Sequence, residues 1–165
     1  MRSILMLMLF TASFGLSSAA QKGQRLNAFN LEKGLAIQGY DPVAYFTQNK
    51  AVKGLKQWAA SAEGVVYYFS SAANRDLFLK DYRKYEPQYG GWCAYAVSLG
   101  RIAPIDVNTF SIVNGRLFIQ HNQRAVNGWN KDVLGNLTLA DKYWPKVADK
   151  GGKQITTDAE KGFLN

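Results

Sequence analysis

Sulfur is scarce in this sequence. It has one cysteine, Cys93, and three methionines, Met1, Met6 and Met8, all within the first eight residues. A lone thiol closes no disulfide within the chain. No thioether follows residue 8, so the soft ligand that selects cuprous ion is missing from the rest. Histidine also occurs once, as His121. A structural metal site needs about four thiolate or imidazole donors around one point, and this composition does not supply them. There is no phosphate loop, dinucleotide fingerprint or C-x-x-C-H haem attachment. Between residues 36 and 145 the carboxylates are Asp41, Glu63, Asp76, Asp81, Glu86, Asp106, Asp132 and Asp141. No close pair on one face offers acid–base chemistry. Basic residues never form a run of five, which argues against a nucleic-acid groove. No internal repeat or low-complexity block stands out.

The N-terminus has the pattern of a secretory signal. Arg2 gives the positive start, Ile4 to Leu16 the apolar run, and Ser18-Ala19-Ala20 a small-residue cleavage site. The apolar run is short for a membrane span of about 20 residues. Export to the periplasm or the extracellular space is expected. Removing residues 1–20 of 165 leaves 145 and takes the net charge from +8 to +7. A chain of that size forms one domain and buries roughly two-thirds of its unfolded surface. The charge is scattered over Lys50, Lys53, Lys56, Arg75, Lys80, Arg83 and Lys84. It makes a solvated basic surface, suited to anionic envelope components.

Residues 21–34 are polar and predict a loose lead-in. Residues 35–149 predict the domain and 150–165 a flexible tail. Within the domain, Lys56–Ser61 and Val65–Phe69 predict two strands joined at Ala62-Glu63-Gly64. Ser70 or Ser71 caps a helix to about Asp81, with Leu77, Phe78, Tyr82 and Tyr85 as its buried stripe. A short helix over Trp92–Leu99 closes at Gly100. Asn114-Gly115 between alternating apolar runs predicts a two-residue hairpin. Val126, Trp129, Val133 and Leu134 fall near one helical face. Thr138 with Asp141 suggests a cap for a last helix ending before Pro145. The sum is an α+β domain of short antiparallel hairpins covered by short helices.

Three stretches, GYDPVAYF (39–46), YYFSSAANRDLFLKDYRKY (67–85) and YGGWCAYAVSLG (89–100), resemble the YHS-domain family. The likeness is to its small exported, single-domain branch, which has no settled function. It implies a treble-clef-like core with an added C-terminal hairpin and helices. Wider relatives bind a copper or other transition-metal ion through cysteines. The matching positions here hold Ala44, Ser70 and Asn74. The resemblance therefore implies the scaffold without its thiolate ligands, held by packed aromatic rings.

Cys93 follows two glycines at a predicted helix start, where backbone N–H groups favour an anion and lower a thiol pKa. It is a candidate metal ligand, redox thiol or nucleophile, or else a buried small hydrophobe beside Trp92 and Tyr95. His121, at a strand end, is the candidate base, with Asp106, Asn122 or Asn136 to orient it. Asp41 before Pro42 reads as a helix cap. Tyr40, Asp41 and Tyr45 could also line a pocket with Tyr89, Trp92, Cys93 and Tyr95, suited to a small planar ligand. Three readings stand. The first is an exported, non-catalytic domain that binds a small molecule or a metal ion. The second is a thiol enzyme or sensor using Cys93 and His121. The third is an interaction domain that uses its basic surface.

Overall fold

A computed structural model describes residue 23 and residues 25–149. The expected signal segment and the expected tail lie outside these residues. The fold is α+β. Strands β1 (Leu31–Glu32), β2 (Leu35–Ala36), β3 (Leu55–Ala62) and β4 (Val65–Phe69) form one sheet in the order β1-β2-β4-β3. β5 (Phe110–Val113) and β6 (Arg116–Ile119) form a separate hairpin. Helices α1 (Pro42–Gln48), α2 (Ala72–Lys80), α3 (Tyr82–Tyr85), α4 (Ala94–Ser98), α5 (Gln123–Lys131) and α6 (Val133–Asp149) pack around them. Tyr45, Tyr67, Phe69 and Phe78 centre one hydrophobic cluster, and Tyr89, Phe118 and Trp129 a second.

The two halves of the domain repeat one plan, contrary to the expectation of no repeat. In each half an extended residue pairs in parallel with the second strand of a hairpin, Leu35 with Val66 and Pro87 with Leu117. A left-handed turn follows, with φ of 50°, 55° and 76° at Ile37, Gln38 and Gly39. At Tyr89, Gly90 and Gly91 φ is 55°, 59° and 75°. Two residues later comes a helix cap, Asp41 for α1 and Cys93 for α4. Each hairpin closes on two residues of positive φ, Glu63-Gly64 and Asn114-Gly115. Each next helix has a polar cap, Ser71 or Asn122, whose side chain accepts from the N–H three residues on. Phe78 and Trp129, seven residues after those caps, are both buried. Asp81 and Asp132 end these helices at φ −155° and cap the next ones. From Gly64/Gly115 to Asp81/Asp132 every matched pair lies 51 positions apart.

Several expectations change. The lead-in is docked, not loose: residues 25–28 are helical, and Leu26, Phe29 and Leu31 pack on the core. Three bonds tie it to the Tyr89 turn: Asn30 N–H to Gly90 O at 2.9 Å, Asn30 Nδ2–H to Gly91 O at 3.1 Å and Trp92 Nε1–H to Ala28 O at 2.9 Å. Leu77 and Leu134 are exposed, Leu134 at 68%, because α2 packs through Phe78 and α6 through Ala140 and Val147 instead. α5 and α6 are two helices broken at Asp132, so a single face through Leu134 never forms. Thr138 and Asp141 cap nothing; α6 starts at Val133 under the Asp132 side chain. Pro145 lies inside α6 near its end, where its missing N–H leaves only the Asp141 carbonyl without its usual bond.

Gly90 is the tightest point of the docked segment. A Cβ there would sit 2.6 Å from Ala28 O, and φ is already +59°. At Gly91 φ is +75°, but the nearest atom is Pro87 Cγ at 3.4 Å. Gly90→Ala should therefore lose about 2–4 kcal/mol as backbone is forced off backbone. Gly91→Ala should lose only about 1–2 kcal/mol, the cost of left-handed backbone. Urea unfolding of both variants measures the difference.

Candidate functional site

Asp41 is fully buried and its carboxylate is saturated. Oδ1 accepts from Val43 N–H at 2.9 Å and Ala44 N–H at 3.3 Å. Oδ2 accepts from Ser70 N–H at 2.8 Å, Ser70 Oγ at 2.6 Å and Asn74 Nδ2 at 2.7 Å. The helix cap is thus also the hub joining α1, the end of β4 and the first turn of α2. Ser70 and Asn74, which the resemblance would align with thiolates, both bond to this carboxylate. Ala44, also buried, has no side-chain ligand to offer. The metal implied by the resemblance does not fit these residues. Among the described residues no cluster of three or more His, Cys, Asp or Glu could hold an ion.

Cys93 occupies the matching place in the second half. It is fully buried, and Sγ–H donates to Gln120 Oε1 at 3.5 Å. The sequence suggested a lowered thiol pKa; the structure reverses the direction. Burial pushes the thiol from its ordinary 9 up to about 11, against the opposing pull of the Ala96, His121 and Tyr95 amides. Those three amides correspond to Ala44, Ser70 and Val43, the residues whose N–H groups hold Asp41. The Cys93 sulfur therefore sits in a carboxylate-type cradle, but dry. The His121 ring is engaged elsewhere, with Nδ1 3.0 Å from Pro104 O.

The other candidate residues divide between the two clusters and do not face one common cavity. Tyr45 is buried, its OH donating to Val107 O at 3.0 Å. Burial raises its pKa. Tyr40 carries Lys53 Nζ 4.5 Å over its ring. Trp92 is spent on Ala28 O, and the Tyr95 N–H on Gln120 Oε1 at 2.9 Å. Tyr89 lines a cleft. Its OH donates to Asp141 Oδ1 at 2.8 Å, and Arg116 clamps the same carboxylate at 2.7 and 3.0 Å. Burial raises the Tyr89 pKa, whereas Arg116 holds Asp141 below the usual carboxylate range.

That cleft has a volume of about 280 Å³. Phe29, Tyr89 and Trp144 form its flat walls, with Arg25, Arg83, Glu86 and Gln88 as polar lining. The Tyr89 and Trp144 ring centroids are 5.8 Å apart. Arg25 Nη2 meets Glu86 Oε2 at 2.6 Å and Arg25 Nε lies 3.2 Å from Glu63 Oε2. Tyr67 OH also donates to Glu86 Oε2, at 3.1 Å. Burial raises the Glu86 pKa although Arg25 opposes it. Tyr82 donates to Glu63, and that bond lowers the Glu63 pKa. Tyr89 holds left-handed backbone at φ 55°, costly for a bulky residue and common at functional sites. The sequence pointed to Tyr89 but missed Phe29, Arg25, Arg83, Glu86 and Trp144. They converge from the docked lead-in, α3 and α6, which no local pattern brings together. Comparison with known proteins returned no matching family model, curated protein or solved structure.

Two outcomes follow for Cys93. Between pH 9 and 11 the unfolded thiol ionises while the folded one stays protonated. The folded state then holds more protons, so stability falls as pH rises through this window, by up to about 3 kcal/mol. Chemical unfolding across the window should show that extra loss in the wild type and not in Cys93→Ala. Cys93→Asp should fold with stability at pH 7 within about 2 kcal/mol of the wild type. An unpaired buried carboxylate would cost about 3–5 kcal/mol, but the three amides and the Gln120 Nε2, buried without a partner, can receive it.

Proposed function

We propose that this chain is an exported, YHS-like domain that binds a small molecule in the Tyr89–Trp144 cleft and performs no chemistry on it. The observation that carries the reading is the cleft itself, where the rings of Phe29, Tyr89 and Trp144 meet the charged side chains of Arg25, Arg83 and Glu86. Concave sites with flat apolar walls and a few placed polar groups are where small ligands bind. Its volume suits a ligand smaller than a typical drug. Two further observations agree with binding over catalysis. The Cys93 thiol is dry and protonated at neutral pH. The cleft carboxylate Glu86 is held by Arg25 and Tyr67, which suits orientation more than proton shuttling. The YHS likeness is supported by the Asp41-Pro42 cap and by the β3–β4 hairpin feeding directly into α2. Export is supported by the charge and apolar pattern of residues 1–20.

The test is a fragment screen by protein NMR on the purified chain. Ligands that act through the cleft should shift the Trp144 indole N–H and the Gly90 amide together. Trp144→Ala should weaken their binding at least about tenfold, measured well below a melting temperature that also falls because the half-buried ring packs on the second cluster. A screen in which no fragment moves these signals would defeat the proposal.

A further inference from the structure

The charges around the cleft cancel in pairs. Arg25 and Arg83 face Glu63 and Glu86. Behind Tyr89, Arg116 is matched by Asp141. The cleft itself is lined by both signs, Arg25 and Arg83 with Glu86, and such a site favours a ligand that also carries both signs.

The hydrogen-bonding capacity left over is more specific. Arg83 is 76% exposed and spends one N–H on Glu63, at 3.3 Å. A guanidinium has five N–H donors in a planar fork that matches a carboxylate. Glu86 takes both its bonds on Oε2, from Arg25 and Tyr67. Its Oε1 carries no protein hydrogen bond among the described residues. Gln88 accepts from Arg116 through Oε1 at 2.9 Å, and its amide N–H groups remain as donors. The cleft therefore offers a fork for a carboxylate, an acceptor for an ammonium group and rings for a flat apolar body.

Resting on the binding reading above, we infer that the ligand is a free α-amino acid with an aromatic side chain. Its carboxylate meets Arg83, with Gln88 as a second donor. Its ammonium group meets Glu86 Oε1. Its ring lies against the half-buried rings of Phe29 and Trp144. The cleft is too small for a long peptide to bury several side chains, and a peptide bond would remove one of the two charges.

The experiment compares three probes on the purified chain by NMR titration, following Trp144 and Gly90. Phenylalanine has both charges, 3-phenylpropionate lacks the ammonium group, and phenethylamine lacks the carboxylate. Phenylalanine should bind about threefold to tenfold more tightly than either, the range for charge pairs in a half-open site. Arg83→Gln should erase its advantage over phenethylamine. Glu86→Gln should erase its advantage over 3-phenylpropionate. The wild-type comparison stands alone should the Glu86 variant fail to fold. Equal binding of phenylalanine and either analogue overturns the amino-acid assignment while leaving the cleft a binding site. The same holds if only neutral or singly charged fragments from the screen move Trp144. A screen and a titration that both leave Trp144 and Gly90 unmoved remove both proposals.

Discussion

The first half of the domain depends on one buried anion. Asp41 sits out of water with five donors on its two oxygens. Taken out of water unpaired, such a charge costs several kcal/mol, and an incomplete shell leaves much of that cost in place. The shell is complete only if α1 starts at Pro42, β4 ends at Phe69 and the first turn of α2 presents Asn74. Each of these elements is short, and none would persist alone. One carboxylate thus fixes their mutual register. Where the resemblance suggested that packed rings had replaced a metal, polar bonding does the joining, and the rings of Tyr67, Phe69 and Phe78 fill the space around it.

The second half uses the same backbone plan with different chemistry. The cradle that holds a carboxylate in one half holds a thiol in the other, and Gln120 stands beside it where Ser70 and Asn74 serve Asp41. A neutral group there lowers the desolvation cost but ties fewer elements together. The long helix α6 offsets this by covering the second cluster through Ala140 and Trp144. The cleft lies at this half, beside the turn at Tyr89, where the docked lead-in and α6 meet.

Much of the local structure was legible in the residues. The Asn114-Gly115 turn, the Asp41-Pro42 cap and the Ser71 cap follow from side-chain chemistry that acts over two or three positions. The repeat was not legible. Across 51 positions it keeps Gly64/Gly115, Lys80/Lys131 and Asp81/Asp132 as identities, while core pairs such as Phe78/Trp129 differ. What the halves share is backbone torsion and hydrogen bonding, and several residue types satisfy each. The burial of Cys93 and the direction of its pKa depend on what covers it, which is tertiary. The cleft was the least legible feature, because its walls are separated by as many as 119 positions, from Arg25 to Trp144.

The docked lead-in carries the last step of this reasoning. Arg25 is the cation that neutralises both Glu63 and Glu86, and it also lies 4.9 Å from the Phe29 ring centroid. Without that segment Glu86 would remain beside Tyr67 with no facing charge, and the cleft would lose one wall. Gly90 lets the segment approach within backbone contact, and the bonds from Asn30 and Trp92 hold it there. A stretch with the composition of a linker is therefore part of the architecture of the cleft. Its few apolar residues, Leu26, Phe29 and Leu31, suffice because the surface that receives them is already shaped by the left-handed turn at Tyr89.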